Sequence, residues 1–213
     1  MEFLEPRLAS YIEEHTDAEP ELLQALDRET HLKVLMPRMI SGHFQGRVLS
    51  MLSKMIRPEH ILEIGTYTGY SALCLAEGLR KNGTLITLDI NEELEEMVRS
   101  YFNRSAYKEQ IDYRLGNALD LIPQIGQQFD IVFIDADKEN YARYYDLVFD
   151  KIRSGGYMIA DNVLWSGKVA AENIKIDKDT RAILDFNRKV QEDERVENVL
   201  FPIRDGLLIA RKK

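Results

Sequence analysis

Short apolar runs punctuate this chain at Ile61–Gly65, Thr84–Asp89, Ile111–Gly116, Asp130–Asp135, Gly156–Asp161, Val196–Ile203 and Leu207–Arg211. Their length and the turn residues around them predict strands. Between the first five lie stretches with helical apolar spacing, at about Tyr70–Leu79, Glu92–Asn103, Ala118–Ile125 and Asn140–Ile152. Strand and helix alternating in this way predict an α/β fold with right-handed crossovers and a parallel sheet. Arg204-Asp205-Gly206 is too short for a crossover and reads as a hairpin turn, so one closing strand is expected to run antiparallel. Upstream, helices are expected at about Glu2–Glu14, Pro20–Lys33 and Pro37–Ile56. The third would bury Met39, Ile40, Val48, Leu49, Leu52 and Met55 and stop at Arg57-Pro58. A charged helix at about Asp177–Glu192 should present a solvated outer face.

With 213 residues and 45% hydrophobic content, the chain can bury one substantial core. Residues 1–36 read as helices that cover an active site or pair across a dimer interface, and residues 37–213 as the main domain. A formal net charge of -8 disfavours a nucleic-acid partner. The first residues carry early acids and no continuous apolar stretch, so neither a leader peptide nor a membrane span is expected, and a cytoplasmic location follows. Cys74 is the only cysteine, which excludes an intrachain disulfide and predicts a small buried apolar residue. No zinc spacing and no G-x-S-x-G elbow occurs, and His43 is expected at the surface or in packing.

Four of the runs end on residues with chemistry to offer, and parallel strands would bring those ends to one rim, where open α/β sheets hold ligands. Glu63-Ile64-Gly65-Thr66-Tyr67-Thr68-Gly69 turns from a strand into a helix. It lacks the middle glycine of a dinucleotide fingerprint, so a ligand without a pyrophosphate fits better. Asp89 follows Gly69 by about 20 residues and ends the next strand, where an acid accepts hydrogen bonds from ribose hydroxyls. A nucleoside-type ligand is expected. Gly116-Asn117-Ala118 either borders the base or is an ordinary turn capped by Asn117.

Asp135 and Asp161 end two runs that one crossover separates, and Asn162 follows directly. Neighbouring strands lie about 4.8 Å apart, so these three oxygen donors could converge on a hard cation such as Mg²⁺, with waters or substrate oxygens completing its shell. Lys138 would stand near that cation.

Leu62-Glu63-Ile64-Gly65-Thr66-Tyr67-Thr68-Gly69-Tyr70-Ser71, Asp135-Ala136-Asp137-Lys138-Glu139-Asn140-Tyr141 and Asp161-Asn162-Val163-Leu164-Trp165 together resemble the cation-dependent O-methyltransferases that use S-adenosylmethionine. That group contains the catechol and caffeoyl-coenzyme A O-methyltransferases, and the likeness runs from about Met39 to the end. The resemblance implies a single Rossmann-like class I methyltransferase domain, with helices on both faces of a seven-stranded, mostly parallel sheet. It implies that Ser41, Glu63, Gly65, Thr66, Ser71, Asp89, Ala118 and Asp135 contact S-adenosylmethionine. It further implies that Asp135, Asp161 and Asn162 ligate a divalent cation and that Lys138 is the base. The expected acceptor is a small catechol-like phenol, and family members resembling this chain are often homodimers.

Two other readings compete. One is methyl transfer to a hydroxylated uridine of tRNA, served by a local basic strip of Arg38, Arg47, Lys54 and Arg57. The other is a non-catalytic nucleotide-binding protein that keeps the fold.

Overall fold

β1 (His60–Ile64) opens the sheet with four of its five residues buried. It belongs to a computed structural model that describes residues 5–172 and 176–213. α1 (Pro6–Glu14), α2 (Glu21–Lys33) and α3 (Gly42–Ile56) precede it. After it come α4 (Tyr70–Ala76), β2 (Thr84–Asp89), α5 (Glu95–Arg104), β3 (Ile111–Leu115), α6 (Ala118–Leu121) and β4 (Phe129–Ile134). The chain closes with α7 (Tyr141–Phe149), β5 (Ile152–Asp161), α8 (Lys178–Glu192), β6 (Val196–Phe201) and β7 (Leu207–Lys212). The seven strands form one sheet in the order β3-β2-β1-β4-β5-β7-β6. Residues 2–4 of the first expected helix lie outside the described residues. No helix among the described residues is long and apolar enough to cross a membrane.

The chain divides into two compact units, one ending at Asn117 and one starting at Ala118. In the first, β1, β2 and β3 are parallel, with Ile64 beside Leu88 and Asp89 beside Leu115, so their carboxyl ends are level. α2 docks through Leu23, Leu26 and Thr30, the i, i+3, i+7 face its sequence offers. Side chains fasten this arm: Tyr70 donates its hydroxyl to Glu19, Tyr101 donates to Glu29 at 2.7 Å, and His43 Nε2 lies 2.7 Å from the Asp17 carbonyl. His43 thus has the packing role expected of it.

The helix expected at Pro37–Ile56 is instead a 3₁₀ turn at Pro37–Met39 followed by α3. Ile40 is extended and Gly42 has φ 72°, which interrupts the helix. The expected buried face is also displaced. Gln45, Gly46, Leu49, Ser50 and Ser53 are buried, whereas Met39 and Met55 are exposed. The cause is close helix approach. A Cβ at Gly46 would stand 2.6 Å from the Tyr70 ring, and one at Gly78 only 2.2 Å from the backbone of Ser53. Small residues therefore face α4, all of whose residues are buried, and the methionines turn outward. Cys74 is fully buried there, and its burial pushes the thiol up to about 12.

Glu77 joins the two helices by accepting from Arg47 at 2.7 Å, Ser50 at 2.6 Å and Lys54 at 2.7 Å. Burial pushes its carboxyl up, but the bonds from Arg47, Lys54 and Ser50 outweigh that and hold it at about 2.

In the second unit β4 is buried along its whole length, as its continuous apolar run requires. It pairs parallel with β5, and Ile134 stands beside Ala160. β5 begins at Ile152, where the sequence pattern suggested the end of a helix. The residues before Tyr157 pair through a register shift opposite Phe129–Ile131, and Gly155 has φ 75°, an irregularity that apolar spacing does not reveal. β7 is antiparallel to both β5 and β6, which makes the expected hairpin. α8 buries Ile183, Phe186 and Val190 and turns its charged side outward. β6 forms the sheet margin and leaves Val199, Leu200 and Phe201 exposed.

Gly78→Ala should destabilise the protein by about 1–3 kcal/mol, a fall of about 2–4 °C in Tm per kcal/mol, read by thermal melts. Because the Glu77 carboxyl is lower in the folded than in the unfolded chain, its contribution is complete above pH 4.5 and disappears as pH falls towards about 2. Glu77→Gln should accordingly flatten the acid limb of the stability curve over that window in urea titrations.

Candidate active site

The first unit supplies a loop and an acid. Backbone geometry shapes the loop: Gly65 has φ 101°, Tyr67 φ 50° and Gly69 φ 89°. At Gly69 a side chain is excluded twice, by that conformation and by the Phe102 ring, 2.6 Å from where a Cβ would stand. Asp89, at the end of β2, is held by this turn. Its Oδ2 accepts the Tyr67 N–H at 2.6 Å and its Oδ1 the Asn91 N–H at 2.9 Å. Each carboxylate oxygen can accept more than one hydrogen bond, so the acid is oriented without being saturated.

Beneath the loop lies a hydroxyl network. Glu63 is wholly buried and accepts from Ser71 at 2.6 Å and from Thr87 at 2.5 Å, while Thr66 and Thr87 share a 2.5 Å bond. Ser41 is buried just before α3. Glu63, Gly65, Thr66, Ser71 and Asp89 are thus brought together at the carboxyl ends of β1 and β2. The buried Thr68 hydroxyl, in the same loop, has no hydrogen-bond partner among the described residues.

The second unit supplies acids, an amide and a lysine. Because Ile134 stands beside Ala160, continuing the register sets Asp135 beside Asp161. Asp161 is 3% exposed, and its Oδ1 accepts the Asn162 N–H at 2.7 Å. Asn162 adopts φ 59°, which turns the chain away from the sheet directly after the strand. Asp137, also in the acidic run, is committed elsewhere: it accepts from Tyr144 and Asn140, each at 2.5 Å. Among the described residues no three His, Cys, Asp or Glu side chains gather as a metal cluster. The grouping here is two carboxylates with one amide, oxygen donors suited to a hard cation. Ala118 begins α6 and is buried.

Lys138 is nearly buried. Its Nζ donates to Asp135 Oδ1 at 3.1 Å and to the Tyr141 hydroxyl at 2.5 Å. The Tyr141 hydroxyl lies 3.0 Å from the Asp161 carbonyl and 3.3 Å from that of Ile134. Burial, then the charges of Asp135 and Asp161, hold it protonated far above its ordinary range.

The hairpin secures the loop beyond Asn162. Leu164 N–H donates to the Asp205 carbonyl at 2.9 Å, Ser166 N–H to Asp205 Oδ1 at 2.5 Å, and Asn187 of α8 to the Val163 carbonyl at 2.9 Å. Trp165, with φ 48°, lies in this loop; its ring centre is 5.9 Å from Lys138 Nζ, and its buried indole N–H has no partner among the described residues.

Sequence reasoning missed two residues. Tyr141 and Trp165 stand inside the quoted motifs, but only the fold shows what they touch.

A profile of the O-methyltransferase family matches residues 13–213. This chain belongs to that family. The methyltransferase is 35% identical over 205 residues to caffeoyl-CoA O-methyltransferase 2 of Eucalyptus globulus, covering 91% of this chain and 83% of that one. It is 33% identical to caffeoyl-CoA O-methyltransferase 1 of Arabidopsis thaliana, covering 91% and 79%. Among solved structures, the O-methyltransferase from Bacillus cereus in complex with SAH matches with a TM-score of 0.89 at 28% identity, covering 97% of both chains. A SAH-bound methyltransferase from Podospora anserina matches with a TM-score of 0.89 at 26% identity, covering 97% and 94%. The methyltransferase is therefore an S-adenosylmethionine-dependent enzyme with a Rossmann-like fold.

Gly206, at φ 91°, leaves room for the methyltransferase's Trp165 loop: a Cβ there would stand 2.5 Å from the Leu164 side chain. Gly206→Ala should displace that loop, changing the emission of the single tryptophan and lowering turnover at least about tenfold, with β-sheet circular dichroism retained.

Proposed function

We propose that this methyltransferase transfers the methyl group of S-adenosylmethionine to one hydroxyl of a small ortho-dihydroxy phenol, with a divalent cation such as Mg²⁺ as cofactor. The reading is carried by one observation: the β4–β5 register brings Asp135 and Lys138 to the same strand ends as Asp161 and Asn162. Similarity to caffeoyl-CoA O-methyltransferases points to the same acceptor chemistry, a phenol with neighbouring oxygens.

In this reading Glu63, Gly65, Thr66, Ser71 and Ser41 serve the methionine and ribose end of the donor, with Asp89 taking the ribose hydroxyls. Ala118 packs against the adenine, and Asp135 also contacts the donor. The donor set fits both groups. Asp89 is oriented by two backbone N–H bonds with acceptor capacity to spare, Thr68 offers a buried hydroxyl, and Asp135, Asp161 and Asn162 offer hard oxygens. Asp137 accepts one hydrogen bond on each oxygen, from Tyr144 and Asn140, and is left out of the ligand set of this reading. When bound, the cation supplies Lewis-acid stabilisation of a developing phenolate. Lys138 accepts the proton of the acceptor hydroxyl, and Asp135 holds its nitrogen in place. The Trp165 ring, 5.9 Å from Lys138 Nζ, would limit water beside the base.

The tRNA reading is weakened at its basic strip. Arg47 and Lys54 are both bound to Glu77, so two of its four cations already have a carboxylate partner.

The test is incubation with labelled S-adenosylmethionine, Mg²⁺ and a panel of catechol, caffeoyl-CoA and hydroxylated tRNA. Label should enter the phenolic acceptors and not the tRNA, and excess chelator should stop it. Asp161→Asn should lower turnover about 100-fold or more while calorimetry shows donor affinity within about threefold of the parent. Undiminished turnover in chelator would refute the cation.

A further inference from the structure

The Tyr141 hydroxyl stands among three polar groups, and its one proton restricts how they can be joined. It accepts an N–H from Lys138 at 2.5 Å and faces two carbonyls, Asp161 at 3.0 Å and Ile134 at 3.3 Å. Carbonyl oxygens only accept, so the phenol proton goes to them, favouring the shorter contact, and the hydroxyl lone pair is turned towards the lysine. The ring cannot wander, because Tyr141 is fully buried and meets Phe186 edge-on at 5.3 Å. One oxygen therefore ties the last residue of β5 to the lysine that follows β4.

We propose that Tyr141 is a positioning residue for Lys138, fixing the direction from which its nitrogen meets the acceptor hydroxyl. The inference rests on Lys138 being the base. A tetrahedral lysine nitrogen has three positions besides its own carbon. Tyr141 takes one and Asp135 Oδ1, at 3.1 Å, takes the second. The third is the lone pair of the amine and becomes an N–H in the ammonium. When the acceptor O–H breaks, its electron pair stays on oxygen and the proton forms the new N–H at that third position. Without the tyrosine hydroxyl the nitrogen keeps a single anchor and can rotate, so the lone pair loses its aim.

The closing experiment is a double-mutant cycle of Tyr141→Phe and Lys138→Ala, assayed with S-adenosylmethionine, Mg²⁺ and either catechol or caffeoyl-CoA. Tyr141→Phe should lower kcat about tenfold or more and leave both KM values within about twofold, because the loss falls on the transition state. In the Lys138→Ala background the same change should cost less than about twofold. A second reading needs neither donor nor cation. Trp165 is the only tryptophan, and Lys138 Nζ lies 5.9 Å from its ring. Tyr141→Phe should therefore alter the tryptophan emission of the protein alone, and this alteration should be absent when residue 138 is alanine. If the phenylalanine variant does not fold, 3,5-difluorotyrosine at 141 retains the hydroxyl but weakens its acceptance of the lysine N–H, and a smaller kcat loss without a KM change is expected. Additive losses across the cycle, a raised KM with intact kcat, or an unchanged emission spectrum would overturn the role of Tyr141 while leaving Lys138 as the base. Full turnover in Lys138→Ala alone would instead remove the base, and the positioning role with it.

Discussion

The parallel register of β4 on β5 is the constraint on which the acidic half of the site depends. It is set by side chains far from any chemistry: Ile131, Val132, Phe133 and Ile134 are wholly buried and stand beside Tyr157, Met158, Ile159 and Ala160. Both faces of β4 are packed, so a slip of one residue would exchange side chains of different size between two close-packed layers, and it is their fit that fixes the pairing. Asp135 and Asp161 then arrive together because the strands beneath them cannot pair otherwise. Tyr141 works within that frame, since both carbonyls beside its hydroxyl belong to the last residues of those strands.

The glycine loop shows the same division of labour in the first unit. β1 and β2 align their ends through buried leucines and isoleucines, and the polar groups are then satisfied locally. Glu63 would be costly to bury alone, but two hydroxyls reach it within 2.6 Å. Asp89 is steadied by one backbone N–H of the loop that it faces, from Tyr67, and by that of Asn91 just beyond it. A change that reshapes the turn therefore reaches the carboxylate too, through the Tyr67 N–H.

Much of this could be read from residues alone, and the successes share a cause. β2 was read at Thr84–Asp89 to the residue, because an apolar run ending in an acid has only one way to sit in a parallel sheet. The closing hairpin followed from a connection too short to cross over. The readings that failed involve a register shift at the start of β5 and close approach at α3. Of the apolar face expected around α3, Ile40 and Leu49 are buried but Met39 and Met55 are exposed, while Gly46, Ser50 and Ser53 are buried because the partner helix comes too near for large side chains. Hydropathy registers what a residue is made of; it does not register how little room a neighbour leaves. The same blindness hid Tyr141, whose importance lies in four oxygen and nitrogen atoms contributed by different parts of the chain.

The margin at β6 carries a different consequence. A terminal strand has backbone groups on its outer side that nothing in its own sheet pairs, and here that side comes with Val199, Leu200 and Phe201 open to solvent. Proteins commonly blunt such an edge with lysine, proline or a bulge, and this one has only Pro202 beyond the strand and Glu197 near its start to discourage a visiting chain. Long-range repulsion from a net charge of -8 fades within about 10 Å at ordinary salt. In salty solution, where that repulsion is screened, the open apolar margin of β6 is the part of this unit best suited to self-association.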